Sequence, residues 1–417
     1  MIDLNLIRQD PPGAEKKFKQ RGLKIELKAL LKNDAEYRAA LQEIEALRAE
    51  RNQKSPAAAE DPTTRPALKT LKDTLTKKER KLNQLQAELN QQLRNLPNLH
   101  FDDVPVGKDE TGNKVLREVG ERPSITGKPK DYFDIARALN LIDTDKAAEV
   151  SGSRFAYLKN EAVLLEFALI QHAFSRLVAE GFTPVIPPMM IRPDIYEGMG
   201  RLAGDQKEER YYLDKDNLYL IGSAEHTLGP LHFNDLLLEN DLPKRYLGFS
   251  SCFRREAGSY GKDTKGILRV HQFDKVEMFS FTTPERSEDE HHFLLSMQER
   301  LVGDLKIAYR VVEICTGDIG WTDARQFDIE TWFPAQNKYR ETHSCSNTTD
   351  FQARGINARY RSKHGTQFMH MLNATAYAMS RTPAAIIENY QQPDGSVAIP
   401  KILQPYMGNV KTIAKKK

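Results

Sequence analysis

The chain has 417 residues, enough for a large core and more than one domain, and its 61 Lys and Arg against 58 Asp and Glu leave a net charge of only +3. So small an excess neither demands nor excludes a nucleic-acid partner, and any such surface must be a local patch. Three widely spaced cysteines, Cys252, Cys315 and Cys345, with no CxxC, argue against a zinc knuckle or a disulfide framework. The start Met1-Ile2-Asp3-Leu4 has no basic region followed by an apolar run, and no apolar stretch approaches the ~20 residues of a membrane span. The expectation is a cytoplasmic protein without a membrane partner.

The first quarter reads as helix. Glycine is absent from 23 to 100. Leu27, Leu30, Asp34, Tyr37, Leu41, Ile44 and Arg48 follow a spacing of three and four, as do Leu68, Leu71, Leu75, Lys78, Leu82, Leu85 and Leu89. Each set lies along one seam of a helix. Pro56, Pro62 and Pro66 fall between the runs and break a continuous helix, so residues 55–66 are expected to close an antiparallel hairpin. A helix of roughly 30 residues extends about 45 Å, too thin for a core of its own, so the hairpin (about 26–95) is expected to project as an arm. Lys69, Lys72, Lys77, Lys78, Arg80, Lys81 and Arg94 give it a modest basic excess. On charge alone, a charged coiled coil is more often a protein-partner or oligomerising device with a solvated outer face than an RNA-binding arm. Residues 104–110 read as a linker, which divides the chain into 1–108 and 109–417. Beyond it, a helix over 161–180 and short β-rich runs such as 217–221 and 326–333, without regular βαβ alternation, predict an α+β fold with an antiparallel sheet.

Two phosphate signatures fail on inspection. In Gly258-Ser259-Tyr260-Gly261-Lys262-Asp263-Thr264 the glycine spacing is wrong for a P-loop, and Asp263 stands where Ser or Thr should follow the lysine. In Gly198-Met199-Gly200-Arg201-Leu202-Ala203-Gly204 the third glycine is one residue late for GxGxxG. Any nucleotide must then be held by side chains. The stretch from Cys252-Phe253-Arg254-Arg255-Glu256 to His271-Gln272-Phe273-Asp274-Lys275-Val276-Glu277 reads as strand, loop and returning strand. Arg254 suits a phosphate, Glu256 a base edge and Phe273 the flat of a base. An isolated Arg-x-Glu is more often a surface ion pair, but the ordered string is hard to explain in that way.

That string resembles motif 2 of the class II aminoacyl-tRNA synthetases, in the wording of the bacterial-type seryl-tRNA synthetase family. The resemblance extends over nearly the whole chain, to Glu388-Asn389-Tyr390 and Pro405-Tyr406-Met407-Gly408. It implies a class II antiparallel catalytic sheet, an N-terminal tRNA-binding arm, and a ligase that forms seryl-adenylate from L-serine and Mg-ATP before charging tRNA(Ser), and also tRNA(Sec). Arg254 and Arg381 carry the implied catalytic role. ATP contacts are implied at Arg254, Arg255, Glu256, Phe273, Arg381 and along Glu341, Thr342, His343 and Ser344. Glu341 and Ser344 are the implied Mg²⁺ ligands. Imidazole does not suit that hard ion, so the His343 ring is read as structural. Ser223, Ala224, Glu225, Glu277 and Thr375 form the implied serine site, with Glu225 on the ammonium and Glu277 on the hydroxyl.

Gly181 to Pro188 resembles motif 1, which implies a homodimer with each arm serving a tRNA at the partner's active site. Ser223 and Thr375 replace the family's usual threonine and serine and keep the hydroxyl. Ala374, Ala376 and Ser380 replace glycines, and their Cβ atoms are expected to narrow the adenine side or oppose a positive φ. Two other functions compete: an amino-acid-activating ligase with a carrier-protein acceptor, and an inactive RNA-binding homologue. The long arm weighs against the first and the intact ATP set against the second. The lysine-rich end, 411–417, reads as a solvated tail.

Overall fold

The computed structural model describes residues 1–60, 63, 65–257 and 265–415. The glycine-bearing loop 258–264, with its P-loop-like lettering, and the last two lysines of the tail lie outside the described residues. The chain divides into two compact units, residues 2–97 and residues 98–417 together with Met1.

In the first unit, α1 (Lys28–Glu60) and α2 (Arg65–Arg94) form the helical hairpin. Ile44, Leu75 and Leu82 pack together with Tyr37, Ala40, Leu41 and Leu47, as the seam requires. Its polar positions are ion-paired. Arg8 and Arg38 bind the buried Asp34 with Nε–Oδ2 distances of 2.8 and 3.1 Å. Across the two helices, Arg48 meets Glu79 at 2.8 Å and Lys78 meets Glu43 at 2.6 Å. The expected closure over 55–66 is too long at its first end. α1 runs through Pro56 to Glu60. Proline removes one backbone donor, but Pro56 is exposed, so the carbonyl it leaves one turn earlier is open to water.

The second unit is built on an eight-stranded sheet. Its strands are β1 (Lys114–Val119), β2 (Thr183–Val185), β3 (Lys244–Phe253), β4 (Gln272–Thr282), β5 (Tyr309–Glu313), β6 (Arg325–Phe333), β7 (Lys338–Asn347) and β8 (His370–Ala378), in the order β1-β5-β6-β7-β8-β4-β3-β2. All neighbours are antiparallel except β2 and β3. Residues 98–108 belong to this unit: Asn98 Nδ2 donates to the carbonyls of Thr322 and Thr348 at 3.0 and 2.8 Å, and Thr316 N–H donates to Pro105 at 2.9 Å.

Three helices, α3 (Glu161–Val178), α4 (Ser287–Asp304) and α5 (Thr382–Asn389), share the main apolar core with the sheet. Leu165, Leu169, Ala173 and Leu177 of α3 recur every four residues and meet Val276 and Met278 of β4 in that core. Burial of a Leu or Val side chain stabilises by about 1.5–3 kcal/mol, so this face holds the sheet in place. The pleat then presents Phe273, Lys275 and Glu277 on the opposite face, where they line a cleft. The cysteines are buried and unbonded to one another.

Candidate active site

The cleft lies over the middle of the sheet and encloses about 260 Å³. β4 supplies its floor. Glu277 stands opposite Gly248 of β3 on one side and Thr375 of β8 on the other. Gly248 is required by what lies on it. A Cβ there would come within 2.6 Å of Leu228 Cδ1 and 3.1 Å of Ala224 Cβ. Without one, the segment 223–228 rests directly on the sheet, and Ser223 Oγ donates to Glu277 Oε2 at 3.3 Å.

One end of the cleft is acidic and tightly buttressed. Glu225 Oε1 lies 2.7 Å from Arg201 and 3.0 Å from His226 Nε2. The Gly222 N–H donates to His226 Nδ1 at 3.0 Å, so Nδ1 is the acceptor and Nε2 carries the proton given to Glu225. Burial pushes His226 down to about 3, which keeps the ring neutral. Burial also pushes Glu225 toward protonation, but Arg201 and the His226 hydrogen bond outweigh it and hold the carboxyl below its usual range. Glu277 behaves in the opposite way. Burial raises it, Lys275 opposes the rise through a direct ion pair, and the Glu225 charge reinforces it. Lys275 Nζ also reaches Ser223 Oγ at 3.4 Å.

The other end is basic. Arg254 donates from Nε to the Gly222 carbonyl at 3.2 Å, and its guanidinium lies 5.2 Å from the Phe273 ring centroid. Glu256, in the left-handed region at φ 52°, pairs with Arg269 at 2.8 Å. Arg381 immediately precedes α5 and binds Glu341 twice, at 2.8 Å to Oε1 and 3.1 Å to the carbonyl. Its guanidinium holds the Glu341 carboxyl below its usual range. Burial, then the Glu341 charge, push the neighbouring Asp328 well above its own. Ser344 Oγ donates to Glu341 Oε1 at 3.1 Å. Among the described residues no group of three or more His, Cys, Asp or Glu is placed to hold a metal ion. One carboxylate and one hydroxyl side by side still fit Mg²⁺, which keeps few protein ligands and takes the rest from water and phosphate.

Of the residues named from sequence, Ser223, Glu225, Arg254, Glu256, Phe273, Glu277, Glu341, Thr342, Ser344, Thr375 and Arg381 all line this one cleft. Ala224, Arg255 and His343 do not. Ala224 is buried beneath Leu228 against β3. The Arg255 guanidinium lies 5.9 Å from the Tyr211 ring, and the Arg255 backbone N–H donates to the Glu209 carbonyl. His343 is buried, with Nδ1 2.8 Å from Thr342 Oγ1. Sequence reasoning missed Arg201, Lys275 and Asn373. Lys275 was findable, since a strand that shows Phe273 and Glu277 to one side must show Lys275 with them. Arg201 comes from a distant irregular segment that carries no periodic signal. Asn373 lines the cleft with its buried Nδ2 unpartnered.

The departures in the third motif are accommodated. Ala374 and Ala376 face the apolar core, away from the cleft. Neither they nor Ser380 has a positive φ, so none needs glycine's freedom.

Residues 210–390 match the tRNA synthetase class II core domain (G, H, P, S and T), and residues 1–100 match the seryl-tRNA synthetase N-terminal domain. A serine–tRNA ligase of Acidothermus cellulolyticus is 44% identical over 414 residues, covering 98% of each chain. The chain belongs to the seryl-tRNA synthetase family. The crystal structure of seryl-tRNA synthetase from Pyrococcus horikoshii complexed with ATP superposes with a TM-score of 0.92 at 40% identity over 100% of both chains. The cytoplasmic serine–tRNA ligase of Naegleria fowleri, in complex with AMP, gives 0.87 at 32% identity, covering 100% of this chain and 99% of its own. Members of this family are aminoacyl-tRNA synthetases, and the helical hairpin and the antiparallel sheet are their two domains. No helix among the described residues is long and apolar enough to cross a membrane.

Proposed function

We propose that the chain activates L-serine with Mg-ATP and transfers the seryl group to the 3′ end of tRNA(Ser), and also of tRNA(Sec). The observation that carries this is the polarity of the cleft. Two carboxylates, Glu225 and Glu277, stand at one end with Arg201 and Lys275 as counter-ions, two guanidiniums, Arg254 and Arg381, stand at the other with Glu341 against Arg381, and Phe273 lies beside them. An amino acid and a triphosphate have the matching charges.

Glu225, kept ionised by Arg201 and His226, takes the serine ammonium. Glu277 and Thr375 accept from and position the hydroxyl. A buried polar cage of this kind rejects apolar amino acids, whose presence would leave its groups unsatisfied. Phe273 stacks on the adenine and Glu256 accepts from its amino group once released from Arg269. Arg254 binds the α-phosphate, Arg381 the terminal phosphates. Glu341 and Ser344 would hold Mg²⁺, which neutralises phosphate charge when bound. A serine carboxylate oxygen attacks the α-phosphorus, the bond to the bridging oxygen breaks, and pyrophosphate leaves. A 3′-terminal ribose hydroxyl of tRNA then attacks the acyl carbon and AMP departs. Both steps rest on placement and charge compensation, so no protein nucleophile is needed.

Residues 2–97 act as the tRNA-binding domain, since 98–108 belong to the catalytic unit. Lys69, Lys72, Lys77, Arg80 and Lys81 are exposed along α2 and suit contacts to an RNA backbone. The catalytic unit works as a homodimer in the cytoplasm. Support comes from exposed apolar side chains on α3 and after β2, where Phe167 is 56% and Ile186 82% exposed. A carrier-protein acceptor is disfavoured by the full-length match, arm included. The test is ATP-dependent charging of total tRNA with labelled serine, with Glu277→Ala as control. Charging that the control loses supports the assignment; an intact protein that charges nothing refutes it.

A further inference from the structure

The central sheet splits beneath the cleft. β7 and β8 pair only at Cys345, Ser346 and Asn347, opposite Ala374, Asn373 and Leu372. The next residues, Ser344 and Thr375, are still in strand but pair outward instead, Ser344 with Asp328 of β6 and Thr375 with Glu277 of β4. Just beyond them each strand carries an extra residue, Thr342 in β7 and Ala376 in β8, where the register slips. Such bulges bend a strand. The opening therefore separates Glu341 and Ser344, assigned to the metal, from Glu277 and Thr375, assigned to serine.

One side chain bridges this opening from the core face of the sheet. Gln298 of α4 donates from Nε2 to the Ser344 carbonyl at 2.8 Å and to the Thr375 carbonyl at 2.9 Å. Both partners are acceptors, which fixes the amide with its NH2 toward the strands. Gln298 is fully buried, on a helix whose Leu294, Leu295, Leu301 and Val302 join the apolar core. Its Oε1 is buried with no hydrogen-bond partner, so the amide sits in an apolar setting at the cost of an unsatisfied acceptor. An apolar side chain of the same length would avoid that cost, but it would leave the two carbonyls facing each other with no donor between them. Arg381 also crosses the opening, to Glu341, but both groups turn to phosphate and metal in the loaded site.

We propose that Gln298 is a positioning residue for serine activation: its amide sets the width of the opening between β7 and β8, and so the placement of the metal ligands relative to bound serine. The inference rests on the cleft roles proposed above. Each half of the sheet keeps its own pairing, β7 to β6 and β8 to β4, so each substrate still finds its partners when the amide is lost. What changes is the alignment of the serine carboxylate with the triphosphate, which matters only in the reacting complex. The helix itself stays attached, because His291, seven residues earlier on the same face, has Nε2 3.0 Å from the Cys345 carbonyl.

The experiment is serine-dependent ATP–pyrophosphate exchange by the full chain, wild type against Q298M, Q298N and L294A, with serine affinity from calorimetry in the absence of ATP and metal. Q298M keeps the length and removes the donor, so kcat should fall on the order of 100-fold with the serine Kd within about twofold. Q298N holds its NH2 one methylene short, reaches at most one carbonyl, and should lose on the order of tenfold in kcat. L294A opens a cavity against the same helix and should lower Tm while kcat stays within about threefold. A Q298M kcat within about threefold of wild type, a serine Kd that weakens as far as kcat falls, or an equal kcat loss in L294A overturns the proposal alone. Should Q298M not fold, Q298N decides, and a wild-type kcat in it overturns the proposal. A wild type with no serine-dependent exchange overturns the function assigned to the cleft and this proposal with it.

Discussion

Replacing Lys275 by methionine tests the electrostatic construction of the cleft. Lys275 is 11% exposed and Glu277 is 1% exposed, so solvent screens their ion pair little. K275M keeps the length of the side chain and strands the Glu277 charge beside Glu225, with the Ser223 hydroxyl still donating to it. Removing one partner of a buried pair costs about 3–5 kcal/mol. In a unit of this size each kcal/mol moves Tm by about 2 °C, so K275M should melt about 6–10 °C lower. Glu277 can relieve the strain by taking a proton. Its folded-state pKa then lies further above its unfolded value, so the loss should be smallest at low pH and grow as pH rises toward 8. The double variant K275M/E277Q removes both charges and should recover more than half of the lost stability. Calorimetry of the single and double variants between pH 5 and 8 measures both effects. A K275M melting point within about 1 °C of wild type at pH 7.5, or a double variant no more stable than the single, would refute the reasoning.

Three further outcomes are expected. R381A removes the cation that faces the terminal phosphates and should lower serine-dependent ATP–pyrophosphate exchange by about 100–1,000-fold, with Tm little changed because its partner Glu341 is 44% exposed and can be hydrated; activity within tenfold of wild type would count against its role. Glu225 has a depressed folded-state pKa, so its contribution to stability is present above the unfolded value and persists as pH falls below the usual carboxylate range. The Tm difference between wild type and E225Q should hold from pH 7 to 4, and a difference that vanishes between pH 5 and 4 would contradict the Arg201–His226 buttress. Deleting residues 30–95 should leave ATP–pyrophosphate exchange intact and abolish tRNA charging, and charging by the shortened chain would dismiss the arm as the RNA-binding element.

The cleft illustrates which residues announce themselves in one dimension. Arg254, Glu256, Phe273 and Glu277 stand within one strand–loop–strand, so their order and spacing carry the meaning. Lys275 could be placed by the same alternation, on the face of Phe273 and Glu277, but its ion pair with Glu277 could not, since a strand lysine reads as solvated until its neighbours are known to be buried. Arg201 and His226 could not be assigned from order at all. Arg201 reaches Glu225 at 2.7 Å from a segment that meets it only after folding, and His226, the next residue in the chain, has its Nε2 at 3.0 Å only through the local backbone conformation. His343 shows the reverse. Its place in the Glu341–Ser344 run invites a role at the ATP, and burial beside Thr342 withdraws it from the cleft.

Pro56 makes the same point for the arm. Proline's missing donor argues for a helix end, and on an exposed surface water takes the freed carbonyl, so the helix continues to Glu60. The hairpin, the antiparallel class of the catalytic sheet and the motifs along it were legible in one dimension, because helix and strand periodicities and short ordered strings are local properties of the chain. Which carboxylate is kept charged and which is pushed toward neutrality was set by the fold. The fold also placed Ala374 and Ala376 against the core, because charge state and packing depend on neighbours that lie far apart along the chain.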